Sequence, residues 1–383
     1  MNSKMNLDQL LSETPSHART RVQRELDWFH PREQPLVLYG AGTLGLLTLA
    51  KLRKVGIEPA AFADDTPEKQ GHFLLDVPIL SPSDAAKRVG PSSLFVVTIL
   101  NPQLSFLNAK ARLESITRSQ AISFLTLFWK FPEVFLPYSQ FEMPERLLTK
   151  ANKIRAAFDL WADEESKQQF VGHLRFRLLL DHDSLPPNNR QGYFPDLLSL
   201  PAHTVFVDCG AFDGDSIREF LAHQHNNFAS IYAFEPDETN FRRLQSFING
   251  LPPMISEKIV IHNAAVGETR SRVAFNATGN MSAALTSKGA SMVDVVPLDE
   301  VIEPDNNPIF LKLDVEGAEW QALKGGQELI ERHAPTIAIS IYHQPDDLWD
   351  LPLYISRLNP RYKLFLRTQG EDGMDVICYA ARL

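Results

Sequence analysis

The sequence has little cysteine and no long uninterrupted apolar run. Its two cysteines, Cys209 and Cys378, are too few for a disulfide framework, so a reducing compartment is expected. No stretch has the apolar character of a signal peptide, and none has the length of a membrane-spanning helix. These features predict a cytoplasmic protein that does not insert into a membrane.

Positive charge is scarce as well. The 38 lysines and arginines are outnumbered by 47 aspartates and glutamates, which gives a formal net charge of −9. Because a protein that follows the phosphates of a nucleic acid needs a basic surface, this balance argues against a nucleic-acid partner. The 383 residues, 44% of them hydrophobic, exceed what one ordinary core accommodates. Two globular domains are therefore expected.

Strand and helix patterns alternate in the first third of the chain. The apolar run Leu36–Tyr39 leads into a glycine-rich loop and then a helix to about Lys54, and a second strand ends at Asp64. Further strands are expected in "SLFVVTIL" and "AISFLTL", with a helix between them. Such alternation is typical of a parallel sheet covered by helices. It predicts a Rossmann-like domain over residues 1–140, followed by a helical linker over residues 141–190.

The glycine-rich loop of this domain has the spacing of a nucleotide-binding turn. It contains Gly40, Gly42 and Gly45 and no acid, so its N–H groups suit a pyrophosphate. Asp64 follows Gly45 by about 20 positions, the separation expected of a ribose-binding acid. A nucleotide or nucleotide sugar is the expected ligand. The alternative is a tight turn that packs the helix on the sheet and binds nothing.

Residues 191–383 again alternate between strand and helix patterns. Five strands are expected, followed by a hairpin in "YKLFLRTQGEDGMDVICYAARL", and a polar insert between the third and fourth strands is predicted to be a hairpin with a loop. The predicted fold is α/β, with two Rossmann-like, doubly wound domains. The second sheet ends in an antiparallel hairpin. The five strands are expected at Val205–Val207, Ile231–Phe234, Ile259–Asn263, Ile309–Leu313 and Thr336–Ile341.

The loop after the first of these strands, in "TVFVDCGAFDGDS", is rich in acids. About 20 positions further on, Glu235 ends the next strand, where a carboxylate can accept both ribose hydroxyls. Acids would repel a phosphate, but they favour the sulfonium and amino groups of S-adenosylmethionine. The alternative role for Asp213, Asp215 and Ser216 is capping of the following helix. The predicted cofactor contacts in this loop are Asp208, Gly210, Ala211, Asp213 and Gly214.

Two acids and a histidine follow the next pair of strands. Asp314 and Glu316 come after the strand Ile309–Leu313, and His343 ends the strand beyond it. His343 is predicted to be the general base, with Asp314 and Glu316 as its catalytic partners. Glu319 is assigned to the N-terminus of the following helix. An alternative is that the three predicted catalytic residues ligate a hard metal, but no zinc-type spacing supports it, so no metal is assigned.

Four segments resemble the FkbM family of class I S-adenosylmethionine-dependent methyltransferases. They are "VDCGAFDGDS", "AFEPDETNFRRL", "NAAVG" and "LKLDVEGAEWQALKGG". The resemblance covers residues 191–383 and implies a seven-stranded sheet with an antiparallel last strand. It also implies O-methylation of a sugar or another hydroxylated small molecule. The matching motifs add Pro236, Asn263 and Ala264 to the predicted cofactor site. Phe212 departs from the family pattern, which often has asparagine there.

The first domain more loosely resembles nucleotide-binding modules attached to sugar-modifying enzymes. The leading hypothesis is an O-methyltransferase that acts on a carbohydrate-like small molecule or a glycan. One alternative is an NAD(P)-dependent oxidoreductase whose cofactor lies at Gly40–Gly45. Another is a nucleotide-sugar sensor without catalysis. The sequence leaves the oligomeric state open.

Overall fold

The computed structural model describes residues 3–90, 92–188, 192–276, 284–285, 291–303 and 306–382. The chain divides into two compact units, each assembled from three segments. The first unit contains Met1–Asn152, Gln168–Asn188 and Gly370–Asp375. The second contains Lys153–Lys167, Asn189–Gln369 and Val376–Leu383. The stretch that we predicted to be a linker, residues 141–190, is therefore shared between the two units.

A six-stranded sheet forms the centre of the first unit. The strand order is β3-β4-β2-β1-β5-β6, and only the β3–β4 pair is antiparallel. The predicted parallel arrangement is confirmed, while the short strands β3 and β4 were not predicted. The strands are β1 Leu36–Tyr39, β2 Ala61–Ala63, β3 Phe73–Leu74, β4 Val77–Leu80, β5 Leu94–Val97 and β6 Ala121–Ser123.

The segment after β6 corrects one sequence prediction. We expected "AISFLTL" to be a strand throughout, but a helix begins at Phe124. The Ser123 side chain accepts a hydrogen bond from the backbone N–H of Leu125, which caps this helix. Helices of the first unit are α1 Ser3–Leu10, α2 Pro15–Glu25, α3 Thr43–Lys54, α4 Pro82–Val89, α5 Phe106–Thr117, α6 Phe124–Lys130, α7 Pro132–Phe135 and α8 Pro144–Leu148; α9 Ala151–Phe158 and α10 Glu164–Leu179 contain residues of both units.

The second unit is built on a seven-stranded sheet. Its order is β16-β17-β15-β14-β7-β8-β9, and β17 is antiparallel to both of its neighbours. This confirms the predicted doubly wound fold with its antiparallel terminal hairpin. Phe206, Phe220 and Phe310 stack in the core of this unit. The strands are β7 Thr204–Cys209, β8 Phe228–Phe234, β9 Ile259–His262, β14 Ile309–Leu313, β15 Thr336–Ser340, β16 Lys363–Thr368 and β17 Val376–Ala381.

The insert between β9 and β14 forms a separate four-stranded sheet. Its order is β10-β13-β11-β12, and β11 pairs antiparallel with β13, as expected of a hairpin. Residues 277–283 and 286–290 of the predicted loop lie outside the described residues. These strands are β10 Ala265–Val266, β11 Ser271–Asn276, β12 Ala284–Leu285 and β13 Ser291–Val296.

Helices of the second unit connect its strands. In the part of the chain that the structure describes, no helix combines the length and the apolar character needed to cross a bilayer. The helices are α11 Asp215–His223, α12 Glu238–Asn249, α13 Pro253–Ser256, α14 Leu298–Val301, α15 Glu319–Gly325, α16 Gln327–His333 and α17 Asp347–Leu358.

Candidate active site

Asp208, predicted to contact the cofactor, forms an ion pair inside the second unit. Its carboxylate is 0% exposed. One oxygen, Oδ1, lies 3.0 Å from Nζ of Lys312, and the other accepts a 2.5 Å hydrogen bond from the Ser216 hydroxyl. Both oxygens are therefore engaged inside the unit, where they stabilise the loop after β7.

Lys312 is a buried residue of this site that the sequence patterns did not assign. Its ammonium group also donates a 2.6 Å hydrogen bond to the carbonyl of Gly210 and lies 5.0 Å from the centre of the Tyr193 ring. Burial opposes the charge on Lys312, but the nearby carboxylates, Asp208 first, outweigh burial and raise its pKa. A single lysine inside an apolar strand was the sequence signal, because such a charge requires a buried partner.

The loop between β7 and α11 turns through three residues with positive φ. Gly210 has φ +84°, Phe212 +47° and Gly214 +90°. A Cβ atom on Gly210 would lie 1.9 Å from the carbonyl oxygen of Asp314, so only glycine fits there. Phe212 lies in the left-handed region, which asparagine tolerates better than an aromatic residue. The asparagine of the family pattern therefore suits the backbone that this loop adopts.

Glu235 lies at the end of β8 and faces this loop. Its side chain accepts 2.9 Å hydrogen bonds from the N–H groups of Phe212 at Oε2 and Asp237 at Oε1. Burial outweighs these bonds and raises the pKa of Glu235 to about 7. Each carboxylate oxygen has a second lone pair, so two further donors can be accepted. This arrangement fits the two hydroxyls of a ribose.

The other predicted cofactor residues surround Glu235 or support the loop. Asn263 donates a 2.9 Å hydrogen bond from Nδ2 to the Glu235 carbonyl, which fixes the turn at Pro236, and Ala264 next to it is buried. Asp213 is instead paired with Arg218 at 2.9 Å. A Cβ atom on Gly214 would lie 2.6 Å from the Phe247 ring, so this glycine allows close helix packing. Ala211 is buried, and its N–H bonds to the carbonyl of Phe234.

The predicted catalytic residues come together at the adjoining edge of the sheet. Asp314 directly follows β14, and its N–H donates to the carbonyl of Cys209 in the neighbouring strand β7. His343 comes three residues after β15 and is 8% exposed. Its Nε2 lies 3.7 Å from Oδ1 of Asp314 and 3.7 Å from Oε2 of Glu316. The predicted grouping of the two acids with His343 is therefore present.

Glu319 takes part in this group, although the sequence suggested only a role at the helix terminus. Its Oε1 lies 2.8 Å from Nδ1 of His343 and accepts N–H bonds from Val315 at 3.0 Å and Gly317 at 3.4 Å. Burial would lower the pKa of His343, but Glu319, followed by Glu316 and Asp314, outweighs it and raises the pKa to about 10. At neutral pH the imidazole is therefore protonated in the free protein.

The two half-buried acids of the group, Asp314 and Glu316, are held in defined positions. Oδ2 of Asp314 accepts a 2.7 Å hydrogen bond from the Tyr193 hydroxyl. Burial raises the pKa of Asp314, but Lys312, His343 and Tyr193 outweigh it and lower the pKa below its usual value. Glu316 has φ +51°, a conformation that costs a non-glycine residue about 1 kcal/mol or more. Backbone strain of this kind clusters at functional sites.

Two glycines of the loop Gly40–Gly45 in the first unit allow close packing of neighbouring atoms. A Cβ atom on Gly45 would lie 2.0 Å from the Gly40 carbonyl, and one on Gly40 would lie 2.6 Å from Ile99. Only Gly42 has open space around its Cβ position. Asp64, the predicted ribose ligand, is buried and already accepts bonds from Ala41 N–H, Thr66 N–H and the Lys69 ammonium group. Its carboxylate therefore stabilises the loop itself.

Comparison with known proteins finds a match to one family model and a similar fold among solved structures. Residues 208–369 match the family model described as the methyltransferase FkbM domain. A search of curated proteins gives no match. The fold is similar to that of methyltransferase FkbM from Methylobacillus flagellatus KT, with a TM-score of 0.77 and 23% identity over 99% of this chain and 98% of that chain. At this identity the likeness is one of fold.

A second solved structure is similar over a shorter stretch. It is UDP-D-quinovosamine 4-dehydrogenase from Vibrio fischeri, with 27% identity over 24% of this chain and 75% of that chain, and a TM-score of 0.19. The family match covers the Asp208 loop, Glu235 and the His343 group. Residues 208–369 are therefore similar to methyltransferase FkbM domains, a family that implies S-adenosylmethionine as the methyl donor.

Proposed function

We propose that the second unit transfers the methyl group of S-adenosylmethionine to a hydroxyl oxygen of a carbohydrate-like small molecule or a glycan. The observation that carries the proposal is the group of Asp314, Glu316 and His343, beside the Glu235 loop. Within the described residues, Nε2 of His343 and Oδ1 of Asp314 are buried atoms without a hydrogen-bond partner. Such atoms are suited to binding an acceptor hydroxyl.

The cofactor is expected to be held by the loop after β7 and by Glu235. Glu235 would accept the ribose hydroxyls, while Asn263 keeps its backbone in place. When bound, S-adenosylmethionine supplies a methyl group on a positively charged sulfur, which leaves as a neutral thioether and needs no acid. The Asp208–Lys312 pair is neutral overall and fixes the loop through the Gly210 carbonyl. The residues present therefore fit the donor.

The proton of the acceptor hydroxyl requires a base. We predicted His343 for this role, and a histidine base with an ordinary pKa would make activity rise near pH 6.5. Its pKa of about 10 means that Nε2 holds a proton at neutral pH, so that rise is not expected in the free protein. The carboxylates of Asp314 and Glu316 can accept a hydrogen bond from the hydroxyl, and the His343 imidazolium stabilises negative charge that develops on its oxygen.

The proposal is tested by measuring methyl transfer from labelled S-adenosylmethionine to a panel of sugars, nucleotide sugars and glycans. We expect a methyl ether product in at least one case. Asp314→Asn should lower turnover by about 100-fold while keeping S-adenosylhomocysteine binding. Glu328→Gln is a matched control, because the Glu328 side chain is exposed and pairs with Arg332 on the same helix. Methylation of nitrogen alone, or full activity of Asp314→Asn, would overturn the proposal.

The oxidoreductase and the sensor receive no specific support. The oxidoreductase hypothesis places its cofactor at Gly40–Gly45, and the predicted ribose-binding acid of that site, Asp64, has its carboxylate engaged within its own loop. The open space at Gly42 still permits approach of a phosphate to the start of α3. Nucleotide binding by the first unit is thus a secondary proposal, separate from methyl transfer.

A further inference from the structure

We propose that Asp314, Glu316 and His343 form a binding site for a divalent cation, with Glu319 holding the histidine ring. The ligand atoms are Oδ1 of Asp314, Oε2 of Glu316 and Nε2 of His343. No spacing in the sequence marks such a site. The structure brings together the atoms from the ends of two adjacent strands, β14 and β15.

The distances within this group leave space for an ion. Nε2 of His343 is 3.7 Å from each of the two carboxylate oxygens, which is too far for a hydrogen bond. Two ligand atoms that each lie about 2.1 Å from a shared ion are about 3.0–3.5 Å apart. An inward movement of a few tenths of an ångström would therefore complete the coordination. Oδ1 of Asp314 is suitable because Tyr193 occupies only the other oxygen.

The histidine is oriented as metal-binding histidines are. Such residues usually donate the second ring N–H to a carboxylate, which fixes the tautomer and directs the other nitrogen towards the metal. Here Nδ1 of His343 lies 2.8 Å from Oε1 of Glu319. The Glu319 oxygen is itself held by the N–H groups of Val315 and Gly317. Nε2 is therefore directed at Asp314 and Glu316.

Burial supports a ligand at this position. His343 is 8% exposed and Glu319 is 1% exposed. Among the described residues, His343 Nε2, Asp314 Oδ1 and Glu319 Oε2 are buried polar atoms that have no hydrogen-bond partner. Leaving a buried polar atom without a partner is unfavourable by about 1–3 kcal/mol, and here three such atoms lie in one small group. Three carboxylates also face a single imidazole, so a divalent cation that replaces the proton on Nε2 of His343 is favoured.

The ligand types indicate which cation fits. Carboxylates suit Mg²⁺ and Mn²⁺, while imidazole favours transition metals, so one imidazole with two carboxylates suits Mn²⁺. Its role in catalysis rests on the proposed function. A bound cation would coordinate the acceptor oxygen and lower the pKa of its hydroxyl, and the proton would pass to water. The oxygen then forms the new bond to the methyl carbon as the carbon–sulfur bond breaks, and that electron pair stays on sulfur.

Binding can be tested without the cofactor or an acceptor. The full chain is stripped with EDTA, and Mn²⁺ alone is titrated while free Mn²⁺ is measured by electron paramagnetic resonance. We expect one site in the unmodified protein. Asp314→Asn, Glu316→Gln and His343→Gln should each weaken Mn²⁺ binding by at least about 10-fold. The exposed acid variant Glu328→Gln should bind Mn²⁺ like the unmodified protein.

The result is independent of methyl transfer. Absence of a site in the unmodified protein would overturn the proposal, as would equal Mn²⁺ binding by Glu316→Gln and Glu328→Gln. If His343→Gln does not fold, Glu316→Gln still decides the question, because the Glu316 side chain is one-third exposed in a loop. If the protein binds Mn²⁺ but still transfers methyl groups after EDTA treatment, the cation site exists and has no role in catalysis.

Discussion

The ammonium group of Lys312 and the carboxylate of Asp208 form an ion pair in the interior of the second unit. The two residues are register partners on the adjacent strands β14 and β7, and their Nζ–Oδ1 distance is 3.0 Å. The same ammonium group bonds to the Gly210 carbonyl at 2.6 Å. The pair thereby connects the centre of the sheet to the loop that is expected to hold the cofactor.

Replacing Lys312 by methionine should destabilise the second unit. The change leaves Asp208 buried and without its counter-charge, which typically costs about 3–5 kcal/mol. The double variant Asp208→Asn/Lys312→Met removes both charges and should recover much of that loss. Urea unfolding followed by circular dichroism gives both values. If the double variant is as unstable as Lys312→Met, the ion pair is not the cause.

Replacing Phe212 by asparagine should relieve the backbone strain at this position. Its φ of +47° costs a bulky residue about 1–2 kcal/mol, whereas asparagine adopts this region readily. Since the ring is also lost, Phe212→Ala is the matched reference. We expect the free energy of unfolding of Phe212→Asn to be about 1 kcal/mol higher than that of Phe212→Ala. Equal stability of the two variants would show that the loop relaxes out of the left-handed region.

Glu235 should make cofactor affinity depend on pH near neutrality. Its pKa of about 7 means that the carboxylate gains a proton as the pH falls through 7. Ribose hydroxyls donate to the charged form, so the affinity for S-adenosylhomocysteine should fall below pH 7, by up to tenfold per pH unit. Calorimetry at pH 6 to 8 measures this.

Two variants of Glu235 complete that experiment. Glu235→Ala should weaken binding by about one to two decades, the usual effect of losing a charge-assisted hydrogen bond. Glu235→Gln cannot titrate and should lose the pH dependence near 7. Unchanged affinity in Glu235→Ala would remove this residue from the cofactor site.

The sequence predicted the fold better than the roles of individual acids. Strand and helix periodicity is local, so the parallel sheets and the terminal hairpin could be predicted. Which acid meets which partner depends on strand pairing, which places Lys312 opposite Asp208. Glu319 looked like a residue of the helix N-terminus, yet its side chain turns back to His343. The helix at Phe124 was missed because a short run of apolar residues suits a buried strand equally well.

The glycine loop of the first unit gives a test of nucleotide binding. If the start of α3 binds phosphate, a nucleotide or nucleotide sugar should raise the melting temperature of the unmodified protein. Gly42→Val should abolish that shift without unfolding the unit, because the space around this residue is open. Gly45→Val should instead unfold it, because its Cβ would lie 2.0 Å from the Gly40 carbonyl. No shift with any nucleotide would indicate that the loop only packs α3 on the sheet.

His173 should make the first unit sensitive to acid. The residue is 0% exposed in α10, and burial, followed by the nearby Arg177, lowers its pKa to about 3. The unfolded chain binds a proton near pH 6.5, whereas the folded chain does so only near pH 3. The contribution of the neutral His173 ring to the free energy of unfolding is therefore complete above pH 6.5, and it is lost as the pH falls from 6.5 towards 3.

The expected slope is up to about 1.4 kcal/mol per pH unit between pH 6 and 4. Urea unfolding across this range measures it. His173→Gln removes the titrating group and should flatten this part of the profile, even if it lowers stability at pH 7. The exposed residue His72 lies in the same unit, and His72→Gln should keep the slope of the unmodified protein. The difference in slope between His173→Gln and His72→Gln measures the contribution of the buried His173 ring. If His173→Gln keeps the slope of the unmodified protein, another group causes the acid sensitivity.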